Sequence, residues 1–224
     1  MRADDWLGLV FLQHALLTFV ISPKLVQLQA DFAMCYGWIM TFVVKPIEAS
    51  TFKDLEGLFA TDEQCADCWC MNHRLPAADL MFGEEAREQL QNLVGSRRVH
   101  GLLAYQGTQC VGWGAVDPLT AQVGHDYVIE THDQAPDSWA IHCLFVHRDF
   151  RGQGVSSLLI DACVSLAQQG GAKKVLAFPI PIDSQGKFPV HEAEFSGRFS
   201  TYEKKGFTAQ RRLNDFCVVV AKKL

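Results

Sequence analysis

The 224-residue sequence is 49% hydrophobic and 20% charged, ordinary globular proportions that exclude a disordered, collagen-like or coiled-coil bulk. Twenty Lys and Arg against 25 Asp and Glu give a formal net charge of -5, which argues against a broad phosphate-neutralising face and hence against a nucleic-acid partner. Eight cysteines are too few for a disulfide scaffold, and Cys143, Cys163 and Cys217 sit in apolar runs, so a reduced, cytoplasmic protein is expected.

Trp6 to Ile21 reads WLGLVFLQHALLTFVI. This run of about sixteen residues, broken by Gln13 and His14, is shorter than the ~18 of a spanning helix, so no membrane partner is expected. Asp4 and Asp5 oppose a secretory leader. Two readings of residues 1–39 stand together: a start assigned upstream of the true one, because Met40 precedes a domain-like opening, or a docking helix over an apolar patch.

From residue 40 the pattern predicts one domain to Leu224. Thr41–Ile47 is a strand, and Glu48–Ala60 a helix carrying Phe52, Leu55, Leu58 and Phe59 on one face. A helix over Gly83–Val94 precedes a hairpin, Val99–Tyr105 and Gln109–Val116, turning at Gln106 and Gly107. Residues 118–137 form a long connection. Trp139–Val146 is a strand, Gly154–Gln168 a helix closed by Gly170 and Gly171, and Lys174–Ile180 another strand ending in prolines that suit a splayed edge. The 183–198 insertion is a solvated loop or a lid. A helix over Ser196–Lys205 and strands Phe207–Leu213 and Phe216–Ala221 complete an α+β fold with a mixed sheet.

The stretch from Ile141 to Leu159, IHCLFVHRDFRGQGVSSLL, leads a buried strand through a glycine turn into a helix start. The backbone N–H groups from Arg151 to Ser156, which lack intrahelical acceptors, and the helix dipole make an anion cradle there, and Gly152 and Gly154 lack the Cβ that blocks close approach. Such loops open several nucleotide-binding folds. Order along the chain is more specific: Arg151, Gly152, Gln153, Gly154, Val155 and Ser156 match Q/R-x-x-G-x-G/A with Ser in the last place, and STYEKKGF follows one strand later with Tyr202, Gly206 and Phe207. In this the sequence resembles the GNAT superfamily of acyl-CoA-dependent N-acetyltransferases over roughly residues 40–224.

The resemblance implies the GNAT fold, a mixed central sheet flanked by helices, with acetyl-CoA as co-substrate in a V between two splayed parallel strands. It implies a cradle of Arg151, Gly152, Gln153, Gly154, Val155 and Ser156, and a pantetheine arm along the backbone of Leu144, Phe145 and Val146. Tyr202 becomes the acid for the leaving thiolate. Many members carry a base Glu early in the strand before the loop, where this chain has Trp139, Ala140 and Ile141. His142 is the candidate base, with Asp137 and a water relay as alternatives. Members are often dimers, which admits a homodimer.

Cys65, Cys68, Cys70 and His73 form C-x-x-C-x-C-x-x-H, whose residue types suit zinc but whose spacing lacks a second C-x-x-C; no metal is expected. Cys68, Trp69, Cys70, Met71 and Arg74 are similar to a segment in a group of uncharacterised bacterial GNAT proteins, which implies acceptor contacts for Trp69, Met71 and Arg74, the last through a carboxylate or phosphate. Local packing of a sulfur-rich turn is the alternative. Lys204 and Lys205 read as solvated. The expected activity is direct acetyl transfer to a primary amine of a small-molecule acceptor. The rivals are a non-catalytic acyl-CoA sensor and a zinc-stabilised interaction module.

Overall fold

The computed structural model describes residues 41–121, 137–181, 194–214 and 217–224. Contacts divide the chain into Met1–Met40 and Thr41–Leu224, and all described residues belong to the second unit. The expectations for residues 1–39, for most of the 118–137 connection and for most of the 183–198 insertion lie outside the described residues.

Among the described residues the strands β1 (Phe42–Pro46), β2 (Gly101–Gln106), β3 (Gln109–Pro118), β4 (Ser138–Val146), β5 (Lys174–Ala177), β6 (Thr208–Asn214) and β7 (Cys217–Lys223) form one sheet. Its order is β1-β2-β3-β4-β5-β7-β6. The β4–β5 pair is parallel and every other neighbouring pair antiparallel. The helices are α1 (Phe52–Phe59), α2 (Glu63–Cys68), α3 (Gly83–Gly95), α4 (Val155–Gln169) and α5 (Phe199–Lys204). None of them is long and apolar enough to cross a membrane.

Strand alternation sends side chains to two cores. On one face Phe52, Leu55, Leu58 and Phe59 of α1 and Ala86, Leu90 and Val94 of α3 pack with Trp113, Cys143 and Phe145. On the other, α4 lays Val155, Leu159, Ile160, Cys163 and Ala167 over Ile141, Leu144 and Val146, and Tyr202 and Phe207 join them. Each large side chain so buried contributes about 1.5–3 kcal/mol.

Two irregularities in β4 shape the molecule. Cys143 pairs with Ala115 but Ile141 pairs with Val116, so His142 is an extra residue, a bulge that bends the strand and re-aims its side chain. Parallel pairing with β5 stops at Ile141 and Ala177, because β5 ends there and Pro179 and Pro181 beyond it have no N–H to donate. Residues 142–146 of β4 therefore leave β5 behind, and this is the splayed parallel pair of the expected fold.

The elements differ from expectation where local chemistry outweighs periodicity. A single 3₁₀ turn, Ala49–Thr51, precedes α1, with the Glu48 N–H donating to Thr51 Oγ1 at 3.0 Å. The cysteine-rich stretch, read as a turn, contains α2: Asp62 caps it by accepting from Gln64 N at 3.1 Å and Cys65 N at 3.2 Å. One and a half turns show no periodic stripe, so the cap was its one sequence signal. Trp69 (φ 42°) and Cys70 (φ 56°) then end it in the left-handed region. The helix expected from Ser196 starts at Phe199, because Gly197 at φ 73° breaks it from the 3₁₀ turn Glu194–Ser196. Asp62→Ala should cost about 1 kcal/mol through loss of the cap, read as a lower urea midpoint at constant m-value.

Candidate active site

Beyond Val146 the chain makes a 3₁₀ turn, Arg148–Phe150, and then the loop Arg151–Gly154 that starts α4. Gly152 (φ 75°) and Gly154 (φ 88°) are left-handed, and a Cβ on either would meet no atom within 4 Å. The turn thus needs glycine, and its backbone faces open space. No side chain caps α4, which leaves its first N–H groups, at the positive end of the helix dipole, available to an anion. Arg151 Nε donates to Val146 O at 3.1 Å and ties the loop to the end of β4.

This loop and the part of β4 beyond its pairing with β5 both line one cleft of about 530 Å³. All the residues expected to hold the donor line it except Gln153, whose side chain donates to Asp149 O at 2.9 Å instead. The opposite wall includes Ile180, Gly197, Arg198, Thr201 and Lys204. There Gly197 O accepts from Ile180 N at 3.2 Å. A Cβ at Gly197 would stand 3.2 Å from both Leu144 Cδ1 and Tyr202 Cε2 and 3.7 Å from Tyr202 Oη, so glycine lets the phenol sit immediately behind the cleft wall.

Tyr202 is fully buried with its ring edge on Phe207 at 5.2 Å, and Oη has no hydrogen-bond partner among the described residues. Burial first, then the Cys163 and Cys143 thiols, push the phenol well above its ordinary value. It therefore stays protonated and can donate, and an orphaned buried hydroxyl beside an open strand edge suits a ligand atom arriving there.

His142 lies elsewhere than expected. Its bulged position turns the imidazole into a buried polar cluster, where its side chain is 0% exposed. Arg74 Nη2 donates to Asp117 Oδ2 at 2.5 Å and lies 3.3 Å from His142 Nε2. His142 Nε2 also lies 3.6 Å from Asp117 Oδ2, so both members of the ion pair hold the ring on that side. The His73 ring covers His142, with centroids 3.4 Å apart. Asp117 Oδ1 accepts from the His100 backbone N–H at 3.0 Å and lies 2.9 Å from His100 Nδ1. Burial acts to raise the Asp117 carboxyl, but the Arg74 charge, the His100 hydrogen bonds and nearby His142 together hold it well below the usual carboxylate range.

The three expected acceptor residues do not line the cleft. Trp69 stacks on Phe52 at 6.1 Å, Met71 is fully buried, and the carboxylate that Arg74 grips is Asp117. Cys70 Sγ accepts from the Trp113 indole N–H at 3.2 Å. The Cys143 thiol, then Trp113 and Arg74, draw Cys70 below the ordinary thiol value against its burial, while Cys143 keeps its proton. Among the described residues no group of three or more His, Cys, Asp or Glu is disposed to hold a metal ion.

The Acetyltransferase (GNAT) family profile matches residues 67–183, just over half of the chain. The chain belongs to this family. Similar solved structures include the PaiA N-acetyltransferase of Thermoplasma acidophilum in complex with coenzyme A (TM-score 0.50, 13% identity, 83% of this chain and 100% of that one). An acetyltransferase of Thermus thermophilus has a TM-score of 0.51 at 13% identity over 83% of this chain and 99% of its own. The GNAT domain of S. lividans PAT has a TM-score of 0.51 at 15% identity over 81% and 89%. At such identities the likeness is one of fold. Among curated proteins no sequence match was found.

In this GNAT protein the sequence reading missed Asp117, Gly197, Arg198, Thr201 and Lys204. Asp117 carried a signal, a carboxylate inside the apolar run VGWGAVDP, whereas the others become site residues only once α5 folds against the cleft. Removing one partner of a buried pair costs about 3–5 kcal/mol, so Asp117→Asn should lower stability by that order at pH 7. Because the folded carboxyl is depressed, its stabilisation is complete above the unfolded value of ~3.9 and is lost as pH falls towards the folded value. The gap between wild type and Asp117→Asn in urea denaturation should therefore narrow below pH ~4.

Proposed function

We propose that this chain transfers an acetyl group from acetyl-CoA to a primary amine of a small-molecule acceptor, directly and within a ternary complex. The observation that carries this reading is the open 142–146 edge of β4 running straight into the glycine cradle with a buried, protonated phenol beside it. The cradle has donors, a positive dipole and glycines where a diphosphate would rest. The strand edge offers N–H and C=O groups to the amides of a pantetheine arm, as an edge strand does to an extended peptide. When bound, acetyl-CoA supplies an activated thioester.

The protein's own groups do the rest. A backbone N–H of Leu144–Val146 donates to the thioester oxygen, a contribution worth ~3 kcal/mol in other acyl transfers. Tyr202 donates its phenolic proton to the departing sulfur. The attacking amine must first lose a proton. The Nε2 of His142 already faces Arg74, and Asp137, paired with Lys173 at 3.2 Å, precedes Leu144 by a strand length of roughly 20 Å. Water in the cleft is therefore the proton acceptor in this mechanism.

The missing strand carboxylate and the enclosed His142 favour one rival, a non-catalytic acyl-CoA sensor. Calorimetry of acetyl-CoA with the full chain should give binding that Gly154→Glu abolishes, since the new carboxylate would occupy the cradle; binding unchanged by Gly154→Glu would sink the donor assignment. Tyr202→Phe should lower kcat by ~10²-fold or more with the CoA Kd essentially unchanged. A wild type that binds CoA yet acetylates no amine in an acceptor screen would favour the sensor. Gly197→Ala should lower kcat with less effect on CoA affinity, because the added methyl presses on the Tyr202 ring.

A further inference from the structure

The cradle accounts for one anionic group, yet the facing wall of the cleft is also cationic. Arg198, which precedes α5, lines it with Thr201 and Lys204, and Thr201 and Lys204, three apart, share one side of α5. With Arg151 they give the cleft lining three cations and, among the described residues, no Asp or Glu, in a chain of net charge -5. A nearby carboxylate, Asp161 of α4, is taken by Lys205 and does not offset Lys204. Lys204 is exposed, as expected of a solvated residue, and it also lines the cleft.

Building on the donor reading above, we infer that this face of α5 binds the 3′-phosphate of the donor nucleotide and so selects coenzyme A itself over pantetheine carriers that lack this group. The diphosphate is served by the backbone N–H groups at the start of α4, whereas Thr201 and Lys204 belong to another element, α5, and suit a second anion. A phosphate monoester carries about -1.5 to -2 at neutral pH and has three acceptor oxygens. An ammonium such as that of Lys204 binds it as a mobile point charge, and the Thr201 hydroxyl can add a neutral hydrogen bond. Dephospho-CoA and the phosphopantetheine arm of a carrier protein bring only phosphates that the cradle already takes.

The test is calorimetric, on the full chain, with CoA, dephospho-CoA and 4′-phosphopantetheine as probes against wild type, Lys204→Gln and Lys204→Glu. Wild type should bind CoA ~10-fold or more tightly than either other probe, with a steeper salt dependence. Lys204→Glu should remove most of that preference, and Lys204→Gln part of it, while dephospho-CoA affinity stays the same. Equal wild-type affinity for CoA and dephospho-CoA overturns the inference and leaves the donor reading standing. So does a Lys204→Glu loss shared equally by both nucleotides. Failure of all three probes to bind folded wild type overturns the donor reading, and this inference with it.

Discussion

The structure depends on the parting of β4 from β5. A parallel pair buried on both faces would ordinarily run its full length, since each abandoned N–H and C=O loses a partner. Here pairing ends after Ala177 because the chain turns to prolines, and the bulge at His142 bends β4 at the same level. The backbone left over is an extended set of donors and acceptors in a cleft, and it continues without interruption into the glycine loop and the start of α4. The open strand edge, the glycine loop and the sheet core are thus one continuous piece of chain, so in the proposed function the scaffold that holds the core would also orient the donor.

A second constraint is electrostatic. Arg74 and Asp117 are buried together, with side chains 5% and 1% exposed, and such a pair seldom adds net stability over an apolar packing. Its effect is to specify geometry. Arg74 comes from the segment after α2 and Asp117 from the end of β3, so the pair fastens an irregular stretch containing two left-handed residues to the sheet. His100, 39% exposed at its side chain, is the member of this cluster that meets solvent. The enclosed His142 is thereby committed to structure on its Nε2 side, which moves proton acceptance in the proposed chemistry to water.

The cleft also departs from the average of the protein. An acidic chain gathers Arg151, Arg198 and Lys204 around one opening, which focuses positive potential where an anion would enter. Lys205, next to Lys204 but outside the lining, pairs with Asp161, and on α3 Arg87 pairs with Glu84 and Glu56.

The sequence by itself determined the α+β class, most of the elements and the glycine turn that starts α4. These features are local: the apolar stripe of α4 repeats at the helical period, β4 is an unbroken apolar run, and Gly152 and Gly154 are needed by the backbone turn they make. The place of Tyr202 in a helix just before Gly206 and Phe207 was legible for the same reason. What depends on distant chain was not. His142 was the candidate base until the bulge turned it to Arg74, a residue 68 positions away, and Arg74 was a candidate acceptor contact until Asp117 claimed it. Trp69 and Met71 looked like contacts for an acceptor, but the left-handed turn folds them into the core beneath α1. Lys204 is solvated as expected, but its place in the cleft lining follows from the packing of α5. Periodicity and glycine chemistry are written in neighbouring residues, whereas ion-pair partners, burial and the walls of a cavity exist only after tertiary contacts bring distant residues together.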